Sequence, residues 1–329
     1  MRGAHGRAQA LRQPEIRELE RMRHAIASSL SLLALVACAA GSGAVAASVS
    51  PAGAVGGVQD ALLAPKVTAS TVAFDSADGR TRLIGYLFRP AGNGPFPAIV
   101  LMHGRAGLYS SLPGSTVALG SLSARHLHWA RFWAGHGYVA LLVDGFAPRG
   151  YPTGFGRGTY GNRPSEVSEQ TVRPLDADGA AAFLQARTDV IPDRIGLLGW
   201  SNGAMATLAR ITRALPAGAP DTGPFRAAIA LYPGCAVPER TGARPRVPLL
   251  LLIAGHDEEV SPALCARWAT AIQADAPGFV WQVHDGAAHN FDGLALGSRA
   301  TAADRAAAVA AERLARDFLA QHLAGHRPP

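Results

Sequence analysis

The sequence has few charged residues, few cysteines and no apolar segment long enough to cross a bilayer. Of its 329 residues only 17% are charged, 48% are hydrophobic and three are cysteines. The most apolar stretch, around residues 30–40, is shorter than the roughly 20 residues that a membrane-spanning helix needs. The chain is long enough to bury the core of one large domain or two small ones, so the composition predicts a globular protein.

A concentrated basic surface is also missing. The formal net charge is +7, of which +3 comes from six arginines and three glutamates in residues 1–24. The other positive charges are spread along the chain and are not interleaved with aromatic residues. Nucleic-acid binders carry a basic patch or stripe, so we exclude nucleic acid as a partner.

The N-terminal region has the pattern of an export signal. A short basic start is followed by an apolar stretch and by small residues at Ala44 and Ala46, which suit signal-peptidase cleavage. We interpret residues 1–47 as an extension plus signal peptide, with Met22 as a candidate true start. The letters LVAC, ending at Cys38, resemble a bacterial lipobox. A soluble periplasmic or secreted protein and a lipid-anchored one are both open, and we expect membrane contact only if Cys38 is lipidated.

Two cysteines, Cys235 and Cys265, lie outside this region. In an oxidising compartment they can form one disulfide, and the alternative is a pair of separate buried thiols. Residues 48–65 are small and rich in Gly and Pro, which predicts a linker. We assign residues 66–329 to a single catalytic domain.

Short apolar runs alternate with Ala-rich helical segments from residue 66 to the C-terminal region. Continuous apolar runs such as FPAIVLM are typical of strands buried on both faces, and their alternation with helices predicts a mainly parallel central sheet with helices on both faces. The fold class is therefore α/β. Residues 146–170, rich in Gly, Pro and aromatics, interrupt the alternation. A loop of this length is usually functional, and we expect it to contribute to a substrate pocket.

The letters LLGWSNGAMA place Ser201 between two glycines, directly after an apolar strand and directly before a helix. This is the G-x-S-x-G nucleophile elbow in its strand, turn and helix context, in which a tight turn lifts the serine hydroxyl above the sheet. A serine hydroxyl needs a base within hydrogen-bonding reach, and that base needs an acid to orient it. Ser201 is therefore the candidate nucleophile.

The expected chain order is serine, acid, histidine. Asp257 follows the apolar run PLLLLIAGH, beside Glu258 and Glu259. Of the two later histidines, His284 belongs to the end of a strand, whereas His289 lies in the following loop, where its side chain can reach over the sheet. We predict a triad of Ser201, His289 and Asp257.

Acyl transfer also needs donors for the oxyanion of the tetrahedral intermediate. The loop that starts at His103, after the strand PAIVLM, supplies a backbone N–H near Arg105. The second donor is the amide of Asn202, the residue after the nucleophile. For His103 itself we favour a loop-bracing imidazole over a proton carrier.

These pieces together resemble the dienelactone hydrolase family, over roughly residues 70–325. The motifs LMHGRAGL, VDGFAPRG, GLLGWSNGA, AGHDEEVSP and AHNF occur in family order at similar separations. The resemblance implies an α/β-hydrolase fold, hydrolytic activity and no cofactor. Its exported branch implies a disulfide between Cys235 and Cys265. The founding enzymes use a cysteine nucleophile where this chain has Ser201, so a serine esterase or lactonase is the safer inference than the eponymous activity.

Several further side chains are candidates near the substrate. Arg149 matches a family arginine near the pocket, and the alternative for it is an ion pair with Asp144 or a bond to a carbonyl. His103 and Trp200 are the other pocket candidates. His126 and His128 are two residues apart and so lie on different faces of a helix. We therefore predict no metal site.

The predicted function is an exported serine hydrolase of small carboxylic esters or lactones, with a small molecule as its only expected partner. One alternative is an acyl-peptide or polyester hydrolase that uses the same triad. The other is a non-catalytic envelope binding protein of the same fold, because a fold does not guarantee a function.

Overall fold

The computed structural model describes residues 67–214, 223–293 and 299–323. The predicted signal peptide, Cys38 and the linker at 48–65 lie outside the described residues. Within the described ranges, no helix is long and apolar enough to span a membrane.

In the described residues, eight strands form one sheet, and six α-helices are joined to it. The strands are β1 Thr68–Asp75, β2 Arg82–Arg89, β3 Phe96–Met102, β4 Val139–Asp144, β5 Val190–Trp200, β6 Ala227–Leu231, β7 Leu249–His256 and β8 Phe279–Ala288. The helices are α1 Ala124–Gly135, α2 Arg173–Gln185, α3 Asn202–Thr212, α4 Ala236–Thr241, α5 Pro262–Ile272 and α6 Ala302–Leu323.

The spatial order of the strands is β1-β2-β4-β3-β5-β6-β7-β8. Strands β3 to β8 pair in parallel, and β2 pairs antiparallel with both β1 and β4. The register at the centre places Leu101 of β3 between Leu142 of β4 and Leu198 of β5. The carboxyl ends of β3, β5, β6, β7 and β8 therefore meet at one edge of the sheet, which is where ligands bind in open α/β sheets.

Each face of the sheet is covered by its own apolar core. On β3, Val100 and Met102 face a core that includes side chains of α2, α3 and α5, whereas Ile99 and Leu101 face a core shared with α1 and α6. This alternation is the two-residue period of a strand buried on both sides. The structure confirms the predicted α/β class, with a mainly parallel sheet and helices on both faces.

The structure differs from the prediction at α4. This helix has six residues, and the sequence YPGCAVPERT had suggested no separate element there. A helix of less than two turns is too short to show an apolar period, so hydrophobic periodicity does not predict α4.

Candidate active site

Ser201 lies between β5 and α3 in a strained turn. Its backbone φ is 52°, in the left-handed region that a residue with a side chain rarely adopts. Its amide donates to the carbonyl of Leu231 on the neighbouring strand β6, and its carbonyl accepts from Met205 in α3. Strand and helix therefore hold both sides of the turn, and the serine side chain is only 5% exposed.

The two glycines of the motif are required by close backbone contacts. A Cβ on Gly199 would lie 2.2 Å from the carbonyl oxygen of Gly203, and a Cβ on Gly203 would lie 2.0 Å from that of Met102 on β3. Both distances are far inside van der Waals contact, so any side chain would push α3 away from the sheet. The motif thus fixes how closely the helix approaches β5 and β3.

The three side chains of the predicted triad lie in one hydrogen-bonded series. The Nε2 atom of His289 is 2.9 Å from the Ser201 hydroxyl, and its Nδ1 atom is 2.7 Å from Oδ2 of Asp257. The other carboxylate oxygen of Asp257 accepts from the amides of Glu259 and Val260, at 2.8 and 2.9 Å. The His289 side chain is 4% exposed. His289 directly follows β8, and this position brings it over the sheet edge.

A second carboxylate, Glu259, faces the imidazole. Its Oε2 atom is 3.8 Å from His289 Nε2, and it accepts two bonds from Arg105, at 2.7 Å from Nε and 2.6 Å from Nη2. Burial raises the pKa of Glu259, but the bonds from Arg105 and the charges of His289 and Arg105 outweigh it and lower this pKa to about 2. The sequence placed Glu259 beside the acid without indicating this ion pair.

These groups line a cleft of about 990 Å³. Its inner end is formed by Gly104, Arg105, Ser201, Glu259 and His289, and its outer wall includes Leu112, Thr116 and Val117. Pro152 and Thr153 also line it, so the 146–170 loop reaches the cleft. The volume is at the upper end of the range for sites that bind drug-sized molecules.

A buried acid, Asp292, organises the wall behind the imidazole. It accepts hydrogen bonds from Trp129 at 2.8 Å, Trp200 at 2.9 Å and Tyr232 at 2.5 Å, and Arg125 lies 3.5 Å away. Sequence reasoning missed this residue, because Asp292 lies in the mixed polar segment AHNFDG, where no local pattern marks an acid as buried. The ring of Tyr232 packs edge-on against His289, with centroids 4.9 Å apart.

The structure corrects three predicted pocket residues, none of which lines the cleft. Arg149 is bound to the carboxylates of Asp176 and Asp78, so its charge is already satisfied away from the cleft. Trp200 is fully buried and donates to Asp292 behind the site. His103 is fully buried, contacts the Gly104 carbonyl at 2.7 Å and packs against Phe146, and burial keeps its pKa well below the ordinary value.

His126 and His128 bond to groups outside the triad, although His126 also lines the cleft. His126 contacts the Ser123 hydroxyl and the Leu108 carbonyl, and burial lowers its pKa to about 3. His128 points elsewhere and bonds to Glu312. His284 lies on β8, as the strand period predicts. Among the described residues, no three His, Cys, Asp or Glu side chains gather as metal ligands would.

Cys235 and Cys265 form a disulfide. This is the pairing that the family resemblance implies. Cys235 directly precedes α4, and Cys265 lies in the first turns of α5. The bond thus connects the segment after β6 to the helix that follows the Asp257 loop.

The sequence of this chain matches the model of a known protein family. The model of the dienelactone hydrolase family matches residues 83–323, most of the chain. The chain belongs to the dienelactone hydrolase family. It is accordingly a hydrolase of carboxylic esters or lactones that acts on small molecules, and the α/β-hydrolase fold is that of its family.

The individual relatives of this chain are distant in sequence. A protein of Bradyrhizobium sp., named a probable 2-oxo-3-(5-oxofuran-2-ylidene)propanoate lactonase, is 24% identical over 236 residues, which are 67% of this chain and 85% of that protein. A Klebsiella pneumoniae structure assigned as a dienelactone hydrolase has a TM-score of 0.62 at 18% identity, covering 78% of this chain and 99% of the other. A bacterial brefeldin A esterase has a TM-score of 0.53 at 19% identity, covering 79% and 78%. The two structural matches support the fold alone.

Proposed function

We propose that this dienelactone hydrolase family member is an exported serine hydrolase that cleaves small carboxylic esters or lactones through Ser201, His289 and Asp257. The observation that carries the proposal is the series of short contacts from Asp257 through the imidazole to the serine hydroxyl, at 2.7 and 2.9 Å. Both distances are within the range at which a base takes a proton and an acid orients the base.

In the first half of the reaction the Ser201 oxygen attacks the substrate carbonyl while its proton passes to Nε2 of His289. Asp257 accepts a bond from Nδ1–H, which fixes the tautomer and stabilises the imidazolium. The tetrahedral intermediate then breaks its bond to the alcohol oxygen, and that oxygen takes the proton from Nε2. The product of this half is an acyl group on Ser201; the alcohol leaves as a free molecule from an ester and stays attached to the acyl chain when the substrate is a lactone.

The oxyanion formed in these steps needs two donors. Asn202 is the first residue of α3, where backbone N–H groups have no partner inside the helix. The loop from Gly104 to Arg105 lies against the nucleophile, since a Cβ on Gly104 would be 3.6 Å from that of Ser201. We assign the amides of Asn202 and Arg105 as the oxyanion donors.

The second half repeats this chemistry with water. His289 takes a proton from water, whose oxygen attacks the acyl carbon, and collapse of the new intermediate returns the proton to Ser201 and releases the acid. Glu259, 3.8 Å from Nε2, adds a second negative charge that favours the imidazolium formed in both halves. No step requires a cofactor.

The size of the cleft supports a second candidate, hydrolysis of longer acyl-peptide or polyester substrates. A volume of about 990 Å³ exceeds what a small lactone fills. The lactonase named among the relatives favours the first candidate. A series of nitrophenyl esters of increasing acyl length, run beside lactone, peptide and polyester substrates, separates the two.

Labelling with a fluorophosphonate tests the mechanism directly. We expect one adduct, on Ser201, and loss of ester turnover by at least about 10⁴-fold in Ser201→Ala. Turnover at no more than the uncatalysed rate in both Ser201→Ala and the parent would instead favour a non-catalytic binding protein. Absence of an adduct in folded protein would contradict the proposed nucleophile.

Export is supported by two independent features. The basic, apolar and small-residue pattern of the N-terminal region is that of a signal peptide. A disulfide between Cys235 and Cys265 is typical of oxidising compartments. Mass spectrometry of the mature terminus tests the proposal: a terminus near residue 47 indicates a soluble exported protein, lipid on Cys38 indicates an anchor, and an unprocessed chain contradicts export.

A further inference from the structure

Arg173 is a buried cation without a carboxylate partner. It begins helix α2 and is 0% exposed, and in the described part of the chain no carboxylate oxygen lies within 4.0 Å of its guanidinium. Burial lowers its pKa to about 10. Its position at a helix N-terminus is also unfavourable, because the positive end of the helix dipole repels a cation. A buried charge without a partner costs free energy, so this position calls for a reason other than stability.

The guanidinium bridges the two loops assigned to the oxyanion site. Nη2 donates to the carbonyl of His103 at 2.8 Å, and Nη1 donates to the side-chain oxygen of Asn202 at 2.5 Å. The first bond holds the start of the loop that contains the Arg105 amide. The second holds the residue whose own amide is the other donor. The side chain of Arg173 thus holds both loops and fixes the distance between the two assigned oxyanion donors.

Other groups fix the guanidinium in this position. It stacks over the ring of Phe146, with its carbon 4.8 Å from the ring centroid. The nearest acids are engaged elsewhere: Asp176 binds Arg149 and Ser76, and Glu169 accepts from the side-chain amide of Asn202 at 3.0 Å. Arg173 is therefore held directly by two neutral acceptors and an aromatic face, and the carboxylates of Asp176, Glu169 and Asp144 act on its charge without forming an ion pair with it.

We propose that Arg173 is a positioning residue for the oxyanion site and supplies a fixed positive potential behind it. Asp176, Glu169 and Asp144 favour the charged guanidinium without pairing with it, and the negative charge that develops on the substrate oxygen adds a further favourable interaction. The interaction is therefore stronger in the transition state than in the ground state, which is the condition for accelerating the chemical step. This inference rests on the proposed serine mechanism. In it, Arg173 affects the reaction by holding Asn202 and the His103 carbonyl in place.

Three variants test the proposal. Arg173→Lys keeps the charge but loses the forked pair of donors. Arg173→Met removes the charge, and Asn202→Ala removes the acceptor while leaving the backbone amide of residue 202 in place. The matched control is Arg210→Lys, at a buried arginine of α3 that is paired with Asp178. For each protein we would measure thermal unfolding, kcat, KM and the affinity for an alkylboronic acid, which forms a tetrahedral adduct on serine.

We expect kcat to fall about 100-fold in Arg173→Met, which loses both the positioning of the donors and the positive charge. It should fall about tenfold in Arg173→Lys and Asn202→Ala, since repositioning donors costs less than losing one outright. KM should change less than about threefold, and boronate affinity should fall in parallel with kcat/KM. Arg210→Lys should lower the unfolding temperature while its kcat stays within about twofold of the parent, as for a change away from the reacting atoms.

Two results would overturn the inference. One is parent-like kcat and boronate affinity in any folded Arg173 variant. The other, which applies even if both Arg173 variants fail to fold, is parent-like kcat in Asn202→Ala. Either result, with the parent still labelled at Ser201 by a fluorophosphonate, removes the role of Arg173 and leaves the serine mechanism standing. Failure of the parent to label removes the serine mechanism itself.

Discussion

The inner end of the cleft and its outer wall are built differently. At the inner end, Ser201 and His289 are 5% and 6% exposed, and each has a fixed hydrogen-bond partner. The outer wall is the segment 110–117, here named the rim, where Leu112 is 72% exposed and Val117 is 41% exposed. The rim backbone is held by local bonds, such as that from Ser115 N to Leu112 O at 3.2 Å.

This contrast separates chemistry from selectivity. Proton transfer and oxyanion stabilisation depend on atoms held to within a fraction of an ångström, which only a packed interior provides. Contacts with the variable part of a substrate tolerate change, and exposed loops are where they usually lie. We therefore expect substitutions at the inner end to act on kcat and substitutions at the rim to act on KM.

The largest effect should come from Asp257→Asn. The amide keeps the shape of the side chain but favours the wrong tautomer of His289, so kcat should fall about 10³- to 10⁴-fold with KM nearly unchanged. Steady-state ester hydrolysis measures this. A suitable control is Asp189→Asn, at an acid paired with Arg89 and Arg187 away from the cleft, which should cost stability with little change in kcat. A loss of less than tenfold would remove Asp257 from the triad.

A smaller effect, about tenfold in kcat, should follow Glu259→Gln, because the variant loses a charge beside the imidazolium and weakens the hold on Arg105. Glu239→Gln, at an acid paired with Arg267 outside the cleft, is the control and should leave kcat within about twofold.

The free energy of unfolding should depend on pH through the ionisation of Glu259. Because folding lowers this pKa from 4.5 to about 2, the ionised side chain stabilises the fold above pH 4.5, and this contribution is lost as pH falls toward 2. Denaturant unfolding should therefore show a larger gap between the parent and Glu259→Gln at pH 6 than at pH 3. An equal gap at both values would show that the ion pair does not stabilise the folded state.

The smallest effect should come from the rim. In Leu112→Ser we expect KM for a hexanoate ester to rise about threefold, as for partial loss of one apolar contact, with kcat unchanged and the acetate ester barely affected. Val309→Ser is the matched control, since Val309 is 71% exposed on helix α6 and does not line the cleft. A fall in kcat rather than a rise in KM would contradict the expectation that the rim acts on KM and the inner end on kcat.

Local features of this site were predictable. Short stretches of sequence encode where a strand ends and which residues form the turn after it. They were therefore enough to predict the nucleophile turn of Gly199, Ser201 and Gly203, the acid after one strand and the histidine after the next. The pocket assignment of Arg149 was wrong because an arginine beside a predicted pocket has no local feature that shows which carboxylate it will meet. Its partners Asp176 and Asp78 lie 27 and 71 positions away in the chain.

By itself, then, the sequence determined the α/β class, the turn that carries Ser201 and the order of the candidate catalytic residues, since each depends on periodicity and on backbone contacts near one strand end. Only the tertiary structure decided which partner each charged side chain meets. Arg105 and Glu259 are 154 positions apart, and Arg173 and the His103 carbonyl to which it donates are 70 apart. Such pairs depend on how the strands are ordered across the sheet, and a side chain that pairs across the fold leaves no periodic pattern along the chain.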